Sequence, residues 1–146
     1  MKSEPVAPVL SDERRRLLEE TDDAIVGTIQ PDGRPQMTPN WYLWDGEAFV
    51  VSTLDWTVKV RNVRRDDRVT LCIDPTEKAD GRADYVQVFG RCELIEGDVR
   101  EDTLELIRKY RDTEAEAVAH WERVAPNRVL MRIVPERWQW RFEVSA

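Results

Sequence analysis

Lys59, Arg61, Arg64, Arg65 and Arg68 fall between two apolar runs, Ala48 to Thr53 and Val69 to Ile73, in a chain of net charge −7. A local cationic spot on an acidic body suits the capture of a small anion such as phosphate. If the segment is helical, Lys59 and Asn62 stand three apart, while Arg61, Arg64, Arg65 and Arg68 line a neighbouring face. Asp66 and Asp67 offset part of that charge. Two readings are open: a solvated helix laced with ion pairs, or an anion site. Ser52, Thr53 and Thr57 add hydroxyl donors where a strand end meets a helix N-terminus, which suits phosphate oxygens.

A second stretch, Gln36 to Trp41, alternates polar side chains along an expected strand. Gln36, Thr38 and Asn40, with the backbone beside Pro39, could line a flat ring with polar edges, or form an ordinary solvent face. Tryptophan is abundant, at 6 in 146 residues. Core or subunit interface accounts for most of them, and one or two could wall an aromatic ligand. Glycine-rich phosphate loops, dinucleotide fingerprints and nucleophile elbows are absent. Any redox or transfer chemistry must therefore come from a bound cofactor. His120 reads as a surface or capping residue. Cys72 and Cys92 read as reduced core residues, and no metal is expected.

Length and composition describe a single domain over residues 1–146, with residues 1–10 as a flexible arm. The acidic balance argues against nucleic-acid and anionic-membrane partners. No segment has the roughly 20 apolar residues of a membrane helix. The first ten residues lack the apolar stretch of a signal peptide, so a cytoplasmic location is expected.

The positioning elements follow from periodicity and punctuation. Ser11 should cap a helix over 12–20, with Leu17 and Leu18 facing inward. Strands are expected at 24–29, 35–44 and 47–53, a meander turned at Asp32-Gly33 and Asp45-Gly46. Pro39 implies an edge or bulge. A short helix over 58–64 leads to strands at 68–74 and 84–95, and Gly90 marks a bend in the second. Asp98 should cap a helix reaching Tyr110, and a further helix is expected over 114–124. Two closing strands, 128–134 and 136–144, complete the pattern. In the last, Trp138, Trp140, Phe142 and Val144 share a face. Hairpin-linked strands with few helices imply a mainly β (α+β) fold, an antiparallel barrel of six to seven strands with peripheral helices.

Asp32 to Gln36, Val51-Ser52, Lys59 to Arg68 and Tyr85 to Gly90, in that order, carry a resemblance. The chain resembles the pyridoxamine 5'-phosphate oxidase-like split β-barrel family over roughly residues 12 to 140. It looks most like the branch that binds the deazaflavin coenzyme F420, with FMN-binding relatives as the alternative. The resemblance implies a homodimer with two sites at the subunit interface. It implies that Lys59 holds the cofactor phosphate, with Val51, Ser52, Thr53, Thr57 and Asn62 beside it. Gln36, Thr38, Pro39 and Asn40 would run along the ring, and Tyr85 would arrive from the partner. Family members often carry a second basic residue where this chain has Thr57, and an asparagine where it has Pro39. The implied activity is hydride transfer between the reduced cofactor and a small-molecule substrate. A flavin or deazaflavin carrier without turnover is the non-enzymatic alternative.

Overall fold

The structure is a computed structural model that describes residues 10–75 and 84–141. Residues 1–9 of the expected N-terminal arm, residues 76–83 of the Pro/Asp/Gly-rich loop, and Phe142 and Val144 lie outside the described residues.

Helix α1 (Asp12–Glu20) starts where Ser11 accepts a hydrogen bond from the Arg14 amide at 3.2 Å, and Leu17 and Leu18 are its buried face. Strands β1 (Asp23–Ile29) and β2 (Pro35–Trp41) form a hairpin whose turn holds Gly33 at φ 86°. That positive φ is what the Asp-Gly pair supplies. Strands β3 (Leu43–Trp44) and β4 (Phe49–Leu54) form a second hairpin through Asp45-Gly46. Helix α2 (Val58–Arg65) crosses to β5 (Arg68–Ile73), which pairs with β6 (Tyr85–Ile95). Helices α3 (Arg100–Arg108) and α4 (Glu114–Val124) precede the last strand, β7 (Arg128–Arg141).

All strands join one antiparallel sheet in the order β2-β1-β5-β6-β7-β4-β3. β2 and β3 are its two edges, yet only Tyr42 separates them in sequence. The sheet must curl until its edges meet at that residue, which makes it a split barrel. The expected meander is therefore broken: the chain leaves one edge at Trp41 and enters the other at Leu43. Tyr42 is fully buried at the corner, and its hydroxyl donates to the Leu18 carbonyl.

Alternating positions face a core built from Val26, Phe49, Val51, Leu71, Ile73, Val86, Val88, Met131 and Ile133. Pro39 lies on edge strand β2, where its missing N–H costs no ladder bond. The two closing strands are one continuous strand. The register of β6 on β7 shifts between Phe89 and Gly90, and Pro135 lies opposite Gly90. The bulge accommodates the proline without ending the strand. Helix α3 begins one residue later than expected, with Val99 at the N-cap, while the Asp98 carboxylate accepts from the Arg100 amide. Cys72 and Cys92 are free thiols. Burial pushes the Cys92 thiol up to about 12. No helix among the described residues is long and apolar enough to cross a membrane.

Candidate functional site

Helix α2 starts without the usual acidic partners. Its first turn holds no Asp or Glu, and Thr57 at the N-cap makes no capping bond, donating instead to the Leu54 carbonyl at 3.0 Å. The unpaired amides of a helix start carry partial positive charge. Lys59 sits in that turn and is 8% exposed. Among the described residues, no acceptor or carboxylate bonds its ammonium. Burial, and then the Arg128 guanidinium, hold its pKa below the ordinary lysine value.

Arg128 opens β7 opposite Leu54, the last residue of β4. It donates to the carbonyls of Val124 at 2.8 Å and Ser52 at 3.4 Å. Two half-buried or buried cations thus share the end of β4 with only neutral partners. A buried charge without a counter-charge is costly, and a bound oxyanion removes that cost. A phosphate group fits this set: an ammonium, a guanidinium, amides of a helix start, and the hydroxyls of Thr53 and Thr57, which lie 3.4 Å apart.

Asn62 fastens the helix in place. Its Nδ2 donates to Thr28 Oγ1 at 3.0 Å, its Oδ1 accepts from Arg65 at 3.1 Å, and it is 2% exposed. Thr28 donates onward to Gln36 Oε1 at 3.3 Å. A polar chain therefore runs from α2 across β1 to edge strand β2. Gln36, Thr38 and Asn40 lie opposite Thr28, Val26 and Ala24, so they share the inward face of that hairpin and are half-buried. Thr38 donates to Asn40 Oδ1 at 2.8 Å.

The other basic residues of α2 and its exit are exposed, and three of them are engaged. Arg64 pairs with Glu96, Arg68 with Asp66, and Arg65 donates to the Ile29 carbonyl. Both readings of the cationic run thus hold, for different residues: ion-paired surface for Arg64 and Arg68, a buried unpaired charge for Lys59.

A sequence model of the pyridoxamine 5'-phosphate oxidase family matches residues 10–141. The chain belongs to this family. Among solved structures, it is similar to a conserved hypothetical protein from Mycobacterium tuberculosis, with TM-score 0.76 and 25% identity over 97% of this chain and 90% of that one. It is also similar in fold to an F420 reductase, with TM-score 0.70 and 23% identity over 89% and 98% of the two chains. A heme storage protein from Vibrio cholerae shares the fold at TM-score 0.67 and 16% identity, over 94% and 99% of the two chains.

Within this family member, the structure gathers Lys59, Thr53 and Thr57 at one end of α2, and links Asn62 to Gln36. It separates others. Ser52 points to the opposite face of β4 from Thr53, with its hydroxyl 3.4 Å from that of Thr103 on α3. Val51 is fully enclosed in the core, so only its backbone is available to a ligand. Pro39 is exposed on the outer face of β2. Tyr85 begins β6 opposite Arg141, while the β4 end adjoins the start of β7, opposite the far end of β6 at Ile95. About ten residues of strand, roughly 33 Å, separate those two ends of β6.

Sequence reasoning missed Arg128 and Thr28. Arg128 reaches Lys59 only through the pairing of β4 with β7, which no local pattern announces. Thr28 had a signal: it is a hydroxyl on the same alternating face as Ala24 and Val26. His120 is neither capping nor purely surface. It stacks against Trp41, with ring centroids 5.3 Å apart.

Proposed function

We propose that this family member binds the phosphorylated tail of a tricyclic redox cofactor at Lys59 and acts as an oxidoreductase, with F420 as its cofactor and FMN as the alternative. The carrying observation is the buried ammonium of Lys59, set beside Arg128 at an acid-free helix start and lacking a counter-charge among the described residues. Arg128 takes the place of the second basic residue that the family often has at the position of Thr57. The similarity in fold to an F420 reductase and the family membership support the choice of cofactor class.

In this reading Lys59, Arg128, Thr53 and Thr57 hold the phosphate, and Asn62 holds α2 at its set distance from β1. Gln36, Thr38 and Asn40 offer hydrogen-bonding edges along the inner face of β2. The cofactor, when bound, supplies hydride transfer to or from a small organic substrate. The chain's own residues orient the ring and exclude water from it. The site is completed by a second copy of the chain, which contributes Tyr85.

A titration of the purified protein with F420, with FMN and with buffer alone tests this. Saturable F420 binding together with substrate-dependent oxidation of the reduced cofactor is expected. Binding without turnover over a panel of electron acceptors would mark a carrier. Failure to bind either cofactor would remove the proposal.

A further inference from the structure

A second group of cations, just before α4 and on it, makes no ion pair among the described residues. Arg111 precedes α4, and His120 and Arg123 lie on it. Arg111 Nη2 is 3.0 Å from His120 Nδ1, and Arg123 Nη2 is 3.4 Å from the same atom. A guanidinium has no acceptor, so both arginines donate and Nδ1 accepts; the ring is therefore neutral, with its proton on Nε2. Burial and the charges of Arg111, Arg123 and Arg128 hold the His120 pKa low, in agreement.

Neither Arg111 nor Arg123 makes an ion pair among the described residues. Their other bonds go to the carbonyls of Tyr110 at 3.1 Å and Ala119 at 3.4 Å. By contrast, neighbouring Arg108 is held by both Glu101 and Glu114. The nearby Glu116 carboxylate is committed to the Asp112 and Thr113 amides. Two guanidiniums converging on one neutral ring atom repel each other, in a chain with a surplus of acids available to pair them.

These arginines line a cavity of about 450 Å³ with Tyr110, Asp112, Glu116 and Ala119. That size suits a small organic ligand. Tyr110 stacks on Trp41 at 4.2 Å and 3°, and the Arg111 guanidinium lies 5.0 Å from the Trp41 ring. The Tyr110 hydroxyl is fully engaged, accepting from the Tyr42 amide and donating to the Asp22 carbonyl, so its ring serves as an apolar wall.

We propose that this cavity is a second anion site, in which Arg111 and Arg123 clasp the carboxylate or phosphate of a small organic molecule whose apolar part rests against Tyr110, itself backed by Trp41. The planar guanidinium fork matches either oxyanion. The site stands whether or not a redox cofactor binds at Lys59. Arg128 bears electrostatically on both Lys59 and His120.

Calorimetric titration of the full chain at low ionic strength with benzoate, and separately with inorganic phosphate, tests it. Saturable binding that weakens about tenfold in Arg123→Ala and disappears in the Arg111→Ala, Arg123→Ala pair is expected. Arg123 is exposed, so its single variant retains the aromatic stack and reads binding alone. Binding of benzoate only assigns a carboxylate ligand; binding of phosphate, alone or as well, assigns a phosphate-accepting site. Three results overturn the proposal: no saturable binding of either probe, affinity unchanged in Arg123→Ala, or binding abolished by Lys59→Ala, which would put the ion in the other pocket.

Discussion

Lys59 differs from the arginines around it in burial rather than in charge. A surface ion pair such as Arg68 with Asp66 contributes little, because water screens both partners. An ammonium 8% exposed and set near Arg128 keeps its field, so a phosphate there gains a charge-assisted contact. Lys59→Ala should therefore weaken F420 or FMN binding by about 1.5–3 kcal/mol, measured by fluorescence or calorimetric titration. Because the ligand prefers the charged amine, affinity should also fall as pH rises through the lowered pKa of Lys59. Lys109 presents the same physics without a ligand. It donates to the carbonyls of Thr21 and Tyr42 at 2.8 and 3.2 Å, over the Tyr42 ring, and burial lowers its pKa to about 8. The unfolded chain thus binds more protons at Lys109 than the folded one between pH 8 and 10.5, and this residue's contribution to stability rises with pH through that window. Denaturation of the wild type and Lys109→Met across that range should show a slope of stability against pH that is less positive in the variant than in the wild type. An unchanged slope would mean that Lys109 titrates as an exposed amine. Cys92 and Tyr110, whose pKa values burial raises to about 12, and Tyr42, which burial also raises, act in the opposite sense and remain in both proteins.

Strand β6 owes its bend to Gly90. A Cβ at this position would come within 2.4 Å of the Val134 carbonyl oxygen, a backbone atom that cannot swing away. Gly90→Ala should therefore cost about 1–3 kcal/mol, read as a lower urea midpoint with little change in slope. A neutral result would show that the bulge relaxes freely. The glycine was legible in the sequence because a residue without a side chain inside a long apolar run marks close backbone approach. The outcome at Pro135 was not. A proline there reads locally as a strand break, and only the bulge opposite it lets β7 continue. Helix limits were more accessible, because caps are local chemistry. Thr113 and Glu116 complete a reciprocal capping box that starts α4 where periodicity placed it.

At the scale of the whole molecule, one chain cannot bring Tyr85 to Lys59, because the two lie toward opposite ends of β6 and its neighbours. If two copies build each site, mixing Lys59→Ala and Tyr85→Ala subunits should produce mixed dimers with one intact site. Cofactor stoichiometry should then recover to about half in the mixed dimers, each of which has one of two sites intact. No recovery on mixing, with dimers demonstrated by light scattering, would count against a shared site. By itself the sequence determined what depends on neighbours in the chain: strand alternation, turn glycines, helix caps, and the cationic run with the residues through which it resembles its family. The tertiary structure alone decided which of those cations is buried, that Arg128 stands beside Lys59, that Ser52 and Thr53 face opposite ways, and that Tyr42 joins two sheet edges. Those outcomes rest on pairing between β4 and β7 and on closure of the sheet. Both bring together residues far apart in the chain, and no local periodicity records such contacts.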